Sequence, residues 1–489
     1  MNTTASPHTP ADGSRAGRPV RIGALMVALL AASFAFQLNA SMLSPALATM
    51  ADELDTTASA VGVTQTAFFT AAALFSLFLP RLGDLIGRRK VLTGMMVLMA
   101  VGCVISALAG SVGMLAVGRV IQGASGPTIP LALIMLRVEV PDPKKYGTLM
   151  GVVTAVNGGI AGVDSFAGGS LAEHAGYASI FWVMTAFALV AALLVRLFAP
   201  ESRAELRPPM DWPGVALLVV SVGALLIAFN EAGKLGDANW PLAVGLLVLA
   251  GLAFWAFWRM ETRAKHPLVT TGLLKRRATW SLLLSTMLTM TGVFAIMNGL
   301  LPGFAQDTSV GLGLGAEGAT WWTLTPYALA GLAMGPVSGR LAATYGYGRI
   351  LRVGLIATAV ATVLALVTLR TDSSGLLLAV SILLGVTYAG TVNIMLNGFG
   401  IVLSPKENPG FLPGLNAGCF NLGAGLSFVV LYAAMDAVAP SGGTSVGGYS
   451  AGVIAGLILI VAALLVSTLI PKPVDAEAGE VAVAADHSG

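Results

Sequence analysis

The sequence predicts an all-α membrane protein of fourteen transmembrane helices, arranged as two six-helix bundles with a two-helix hairpin inserted between them. The first observation behind this is composition, since 56% of the 489 residues are hydrophobic and 10% are charged. A soluble domain is about a quarter charged, so this chain cannot cover a water-exposed surface with polar groups. The other observations are long apolar runs along the chain and motifs that recur between its halves. Most of the chain is therefore expected to lie in lipid.

The apolar runs define the spans. A bilayer core about 30 Å thick needs about 20 apolar residues in a helix. The predicted spans are 22–49, 60–80, 91–109, 113–136, 147–172, 177–199, 212–230, 240–258, 279–303, 320–339, 350–368, 375–402, 411–437 and 447–470. The first run is longer than a signal-peptide core of roughly 7–15 residues, so we expect it to remain as a span.

Basic residues orient these spans. With the N-terminus in the cytoplasm, only Lys234 and Arg370 of the 27 Lys and Arg residues fall outside, and Arg119 falls within a span. Cytoplasmic loops attract Lys and Arg. We therefore expect a multi-pass protein of the cell (inner or plasma) membrane, with tails 1–21 and 471–489 both in the cytoplasm.

The two halves of the chain repeat each other. The segments PRLGDLIGRRK and GRLAATYGYGR align in a register that also places Asn39 of span 1 on Asn298 of span 9. A slightly longer register places Asn157 of span 5 on Asn421 of span 13. Parallel repeats of six spans are typical of one large transporter class, whose substrate site lies near the midplane between the halves. The predicted domains are a bundle over 22–199, a hairpin over 212–258 and a bundle over 279–470.

Several other functions are excluded by what the sequence lacks. No G-x-x-x-x-G-K-[ST] phosphate loop is present, so ATP is not the expected energy source. The four histidines fall in tails or loops, and the two cysteines lie apart without metal-ligand spacing. The net charge of +3 is too small to indicate nucleic acid. We expect no enzyme activity, cofactor or metal. The protein is expected to be a monomer in the lipid bilayer, with an ion gradient as its energy source.

Four motifs resemble those of a known family. RLGDLIGRRK between spans 2 and 3 and GRVIQGASG in span 4 resemble signatures of the major facilitator superfamily. MDWPGVALL in span 7 and ETRAKHPLV before span 9 resemble its fourteen-span drug:proton antiporter branch. The resemblance implies proton-driven transport by two rocking bundles. The chain departs from that branch at Asn39, where relatives usually carry Asp, and at Asp164 and Ser165, where they usually carry Gly-Pro.

The basic turn at 81–90 contains a single acid, Asp84. Its bases are explained by attraction to anionic lipid on the cytoplasmic side, but Asp84 only dilutes that charge. The resemblance implies that Asp84 faces the start of span 13 near residue 411 when the cytoplasmic side is shut. A carboxylate at a helix N-terminus is stabilised by about 0.3–2 kcal/mol. We therefore predict a conformational latch formed by Asp84, Arg88 and Gly87.

Asparagines within the spans are the candidate substrate ligands. Each is also explained by interhelical hydrogen bonds, worth about 0.6 kcal/mol on average. The pairing across the repeat favours a cavity, and a shared helix face is consistent with lining. The candidates are Asn39, Asn157, Asn298, Asn421 and Asn393.

Arg119 and Asp164 are the two charges most clearly inside the predicted spans. A charge near the centre of a span costs about 2.5–3.5 kcal/mol on the insertion scale. At 1.5 Å per residue, both lie about 9–12 Å below the outer edge of neighbouring spans. They are expected to form either a static ion pair or a proton-coupling site. In the second case only the aspartate titrates, because arginine stays charged.

The leading interpretation is a proton-coupled secondary transporter that exports a small, mainly apolar compound, as in drug or metabolite efflux, by alternating access. The alternative is proton-coupled uptake of a polar metabolite, favoured by Asn39 and by the altered motif around Asp164. A further alternative is a sensor of the same fold that does not transport.

Overall fold

Long apolar helices make up the structure, a computed structural model. The structure describes residues 22–142, 145–146, 149–150, 152–153, 156, 161–202, 210–232, 238–263, 271–371, 373–404, 411–438 and 443–472. Within them, 11 helices are long and apolar enough to cross a membrane. Large apolar side chains such as Leu252, Trp255 and Val353 are exposed on the outside of these helices, as expected for surfaces that face lipid. The chain is an all-helical, multi-pass membrane protein.

The difference between eleven and the predicted fourteen has a physical cause in each case. Predicted spans 5 and 6 meet in one continuous helical stretch, Val163–Phe198, that bends at Gly176, where φ is 72°. Span 4 is interrupted by a 3-10 turn at Gly123–Ser125. Span 10 is present as a helix over Leu324–Tyr345, but its glycines and prolines make it less apolar than the 11 helices counted above. The count of fourteen therefore stays a prediction.

Seven helices form the predicted N-terminal bundle. The helix α7 packs against α1 and α4, while α3 packs against α5. A 3-10 turn at Ser44–Ala46 follows α1. The seven are α1 (Ile22–Ser41), α2 (Leu47–Glu53), α3 (Ala58–Ile86), α4 (Arg88–Ala107), α5 (Val112–Gln122), α6 (Thr128–Glu139) and α7 (Ala161–Phe198).

The predicted hairpin and C-terminal bundle follow. The hairpin helices α8 (Trp212–Ala232) and α9 (Trp240–Glu261) pack mainly on each other. Two π-helical segments, Ile296–Leu300 and Gly385–Val392, interrupt the later helices. Those helices are α10 (Thr271–Leu274), α11 (Arg277–Ala295), α12 (Leu301–Gln306), α13 (Ala316–Trp322), α14 (Leu324–Tyr345), α15 (Tyr347–Thr368), α16 (Ser374–Leu384), α17 (Asn393–Val402), α18 (Phe411–Asp436) and α19 (Val446–Ser467).

The predicted repeat is visible in the backbone at two glycines. Gly87 joins α3 to α4 with φ 122°, and Gly346 joins α14 to α15 with φ 85°. Each N–H donates to the carbonyl four residues earlier, at 2.9 Å. Residues other than glycine rarely adopt such a φ. The two positions that align in sequence therefore make the same turn.

The two halves meet along a seam between α3 and α18. Thr66 Oγ1 donates to the carbonyl oxygen of Gly425 at 3.2 Å. Toward the other end of the seam, Leu77 and Leu415 pack in one cluster with Leu218 of the hairpin. The seam is where a site between the halves would open.

The halves also touch at the end of the molecule that the basic residues assign to the outside. Ser44 Oγ donates to Asn298 Oδ1 at 3.2 Å. The N–H of Glu317 donates to Glu173 Oε2 at 3.0 Å. The rings of Phe166 and Trp321 meet edge to face, with centroids 6.1 Å apart. In this structure the predicted outer end is closed by contacts across the halves.

Candidate functional site

Arg119 lies at the centre of a buried polar cluster in the N-terminal bundle. Its side chain is 0% exposed. Nη1 donates to Asn39 Oδ1 and to Gln122 Oε1, both at 2.7 Å, and Nη2 donates to Gln65 Oε1. The guanidinium carbon also lies 4.1 Å from the ring centroid of Phe68, within range of a cation–π interaction. We call these five residues the Arg119 cluster.

The Arg119 cluster ties three helices together and reaches a fourth. Asn39 comes from α1, Gln65 and Phe68 from α3, and Gln122 from α5 beside Arg119 itself. Gln122 Nε2 continues the network to Ser106 Oγ of α4 at 2.8 Å. Every partner of the guanidinium is an amide, a carbonyl or an aromatic ring, so its charge is balanced by dipoles rather than by an acid. This arrangement suits a cation that keeps its charge and its place, and the proton-coupling role of Arg119 stays a prediction.

Asp164 occupies a separate buried site on α7. Its side chain is 4% exposed. Ser41 Oγ, at the end of α1, donates to Asp164 Oδ2 at 2.6 Å, and Ser165 Oγ donates to Oδ1 at 3.3 Å. Each oxygen of this carboxyl group therefore accepts a hydrogen bond from a serine hydroxyl.

The predicted ion pair between Arg119 and Asp164 is not formed. Neither residue takes part in the ion pairs that join one described residue to another, Arg88 with Asp84 and Arg89 with Glu201. Helical rise predicted the depth of the two charges, but depth leaves the direction of each side chain open. Two buried glutamines and Asn39 satisfy the arginine, and the end of α1 faces the aspartate.

The Asp164 site lies beside the seam. After Ser41 the chain leaves α1 and enters the 3-10 turn that carries Ser44, which bonds Asn298 of the other half. The helix α7 approaches this break so closely that a Cβ on Gly168 would overlap the carbonyl of Met42. The hydroxyl that bonds the acid, on Ser41, and the hydroxyl that contacts the other half, on Ser44, thus lie three residues apart at the end of α1.

The predicted asparagine ligands fall in different places. Asn39 belongs to the Arg119 cluster, and Asn298 bridges to Ser44 across the seam. Asn393 Oδ1 accepts from Asn397 Nδ2 at 3.0 Å within α17. Asn421 is 3% exposed within α18. Asn157 lies outside the described residues. Asn39 therefore fits the packing alternative, while Asn298 makes a direct contact with the other half.

The basic turn is held by two acids. Arg88 pairs with Asp84, its Nη2 lying 2.7 Å from Oδ1. Glu201, just after α7, accepts from the N–H of Arg89 at 3.2 Å, and a Cβ on Gly87 would overlap Glu201. Residues 405–410, which precede α18, lie outside the described residues, so the Asp84 latch stays a prediction.

Sequence reasoning missed several of these residues. Gln37, Gln65 and Gln122 are amides inside apolar runs, the same signal that singled out the asparagines. Ser41 gave no signal, because a lone serine in a span usually bonds its own helix. Glu201 could have been noticed as an acid directly after span 6, close to a loop rich in bases.

Comparisons with known proteins are consistent with this fold. The sequence pattern of the Major Facilitator Superfamily matches residues 29–428. A crystal structure of the nucleoside transporter NupG has a TM-score of 0.60 at 12% identity, covering 92% of this chain and 100% of that one. A crystal structure of the human organic anion transporter MFSD10 (TETRAN) also gives a TM-score of 0.60, at 16% identity, covering 91% of this chain and 98% of that one. These likenesses support the fold.

Two relatives bear on the predicted branch and direction. The uridine/deoxyuridine transporter of Lactococcus lactis subsp. cremoris (strain MG1363) is 57% identical over 458 residues, covering 93% of this chain and 95% of the relative. The tetracenomycin C resistance and export protein of Streptomyces glaucescens is 28% identical over 436 residues, covering 87% of this chain and 77% of the relative.

The much higher identity to the first relative makes the predicted efflux of a mainly apolar compound wrong. The drug:proton antiporter branch, and with it multidrug resistance, is not supported. The motifs behind that prediction identify the superfamily, whose members named above include both a nucleoside transporter and an export protein, so they carried no substrate information. Matched over most of its length by the family pattern, the chain belongs to the Major Facilitator Superfamily, as a membrane transporter.

Proposed function

We propose that this protein takes up uridine and deoxyuridine, or nucleosides of the same chemical class, into the cell together with protons. The observation that carries this proposal is the 57% identity to the uridine/deoxyuridine transporter, which extends over 93% of this chain and 95% of that one. This is the uptake alternative that Asn39 and the motif around Asp164 favoured.

The seam offers groups suited to a nucleoside. A pyrimidine base presents a flat ring and an edge of donors and acceptors, which aromatic rings and amides recognise. Phe294 of α11 is half-buried at the seam, with ring centroids 5.0 Å from Phe69 of α3 and 6.1 Å from Phe428 of α18. Asn298 lies one turn further along and donates to the carbonyl of Phe294 at 3.0 Å. We propose this group as part of the substrate site, with Asn393, Asn421 and Asn157 as further candidates.

Asp164 is the proposed proton-coupling acid. Its described partners are two hydroxyls and the backbone N–H of Ser165. No cation of the described residues forms an ion pair that would hold it ionised. Arg119 keeps its charge in every state, so its proposed role is to fix the bundle around the site. A proton on Asp164 neutralises a buried charge before the halves move. This lowers the energetic cost of the state in which the loaded site is closed to water.

Counterflow in proteoliposomes tests the substrate class. Vesicles loaded with unlabelled uridine are expected to take up labelled uridine, with deoxyuridine competing and an apolar drug-like cation failing to compete. The Asn298→Ala variant is expected to raise the KM for uridine severalfold, while Asn416→Ala, which removes a buried amide bonded to Thr286 at 2.6 Å, leaves the KM unchanged. Absence of uridine counterflow in folded protein would refute the proposal and would favour a sensor that does not transport.

A further inference from the structure

Ser41 holds an unusual set of partners beside Asp164. Its Oγ lies 2.6 Å from Asp164 Oδ2 and 3.0 Å from the carbonyl oxygen of Gln37, and Gln37 Nε2 donates to it at 2.8 Å. Ser41 is 4% exposed and Gln37 is 8% exposed. The hydroxyl therefore faces two acceptors and one donor.

A hydroxyl has one proton to donate and two lone pairs that accept. When Asp164 is ionised, Ser41 donates to Oδ2 and accepts from Gln37 Nε2. When Oδ2 carries a proton, that O–H donates to Ser41 Oγ, and the serine proton turns to the carbonyl of Gln37. All the donors in the group remain paired in both arrangements.

From this geometry we propose that Ser41 is the positioning residue that lets Asp164 exist in both protonation states without leaving a buried polar group unpaired. The change between the states is a rotation of one hydroxyl hydrogen about its C–O bond. Ser41 keeps its own proton throughout. The transported proton bonds to Asp164 Oδ2 from water on one side and leaves to water on the other. The inference rests on the proposed proton-coupled function and adds a residue to it.

No cation among the described residues on the neighbouring helices forms an ion pair with Asp164 in place of its bond to Ser41. The helices packed against α7 are α1, α2, α4, α13 and α14, and none of the cations on them or on α7 forms an ion pair with Asp164. Their titratable groups, with those of α7 itself and the neighbouring Arg119, are Asp52, Glu53, Arg88, Arg89, Lys90, Cys103, Arg119, Glu173, His174, Tyr177, Arg196, Glu317, Tyr327, Arg340 and Tyr345.

The test is the pH dependence of uridine counterflow with equal pH on both sides. Counterflow by the wild-type protein is expected to fall at alkaline pH as Asp164 loses its proton. Ser41→Ala removes a hydrogen bond from both forms of Asp164, but the bond to the carboxylate is the stronger, charge-assisted one, so Asp164 keeps its proton to higher pH. The fall in counterflow at alkaline pH, which we call the alkaline limb, is then expected to move up by about one pH unit or more. The constant rate at acidic pH reports the amount of folded protein and is expected to stay the same.

Two variants make this test specific. Ser41→Thr keeps the hydroxyl and is expected to restore the wild-type limb. Ser33→Ala removes another fully buried hydroxyl of α1, bonded to the carbonyl of Leu29 at 2.8 Å, and is expected to leave the limb in place. A Ser41→Ala limb that coincides with the wild-type limb, or a Ser33→Ala limb that moves as far, overturns the inference.

Asp164→Asn separates the two levels of the argument. If this variant counterflows uridine without any alkaline limb, the coupling acid stands, and an unmoved limb in Ser41→Ala removes only the role of Ser41. If Asp164→Asn keeps the wild-type limb, another group titrates, and the proton-coupling part of the proposed function falls together with this inference.

Discussion

Arg119 and Asp164 are both charged side chains buried in the N-terminal bundle, yet their surroundings differ in kind. Arg119 is surrounded by three amide side chains and an aromatic ring, drawn from several helices. Asp164 has two hydroxyls, one of them at a break beside the seam. The first arrangement suits a charge that never changes. The second suits a group that gains and loses a proton, because hydroxyls can donate or accept.

The largest expected effect comes from removing the titrating group. Asp164→Asn is expected to abolish uridine accumulation driven by a pH gradient, because the amide cannot carry a proton across. Counterflow at neutral pH is expected to continue, because the amide resembles the protonated acid in shape and charge. Both are measured in proteoliposomes at equal protein content. Accumulation that persists would place the coupling acid elsewhere and would remove the contrast with Arg119.

The fixed cation is expected to matter for stability. In Arg119→Lys the ammonium cannot reach the acceptors of Asn39, Gln65 and Gln122 together, and losing even one charge-assisted hydrogen bond costs about 1.5–3 kcal/mol. The purified variant should unfold at a clearly lower temperature in detergent, while the folded fraction still couples uptake to the pH gradient. Normal thermal stability with lost coupling would instead make Arg119 part of the proton site.

A third charged residue, Asp84, extends the comparison with Asp164 because this acid forms an ion pair. Arg88 lies 2.7 Å away and holds the carboxylate in place, and we expect Asp84 to act as a latch. A carboxylate at a helix N-terminus contributes about 0.3–2 kcal/mol, so Asp84→Asn should slow uridine uptake severalfold. The accumulation finally reached should be unchanged, because coupling is untouched. A variant that takes up uridine at the wild-type rate would reduce Asp84 to part of a lipid anchor.

The sequence predicted what depends on composition and local geometry. Recurring apolar runs predicted an all-helical membrane protein, and the alignment of the two basic turns predicted a repeat that Gly87 and Gly346 display with positive φ. It singled out Arg119 and Asp164, because any buried charge needs an explanation. The orientation of the loops and the count of spans remain predictions.

The partners of these residues could not be predicted, because they depend on the rotation of each helix. Arg119 and Asp164 lie at similar predicted depths, so an ion pair between them was a reasonable prediction. The guanidinium instead donates its hydrogen bonds to Asn39 and two glutamines. Ser41 matters only because α1 ends beside α7. Direction and substrate class were also out of reach, since the motifs identify a superfamily whose members include both a nucleoside transporter and an export protein.

Net uridine accumulation by purified protein in proteoliposomes tests the central claim most directly. With an imposed gradient, alkaline inside and acidic outside, labelled uridine is expected to rise inside above its external concentration, and this accumulation is expected to collapse when a protonophore is added. With the gradient reversed, no accumulation is expected. Accumulation that ignores the pH gradient, or that requires an acidic interior, would contradict proton-coupled uptake.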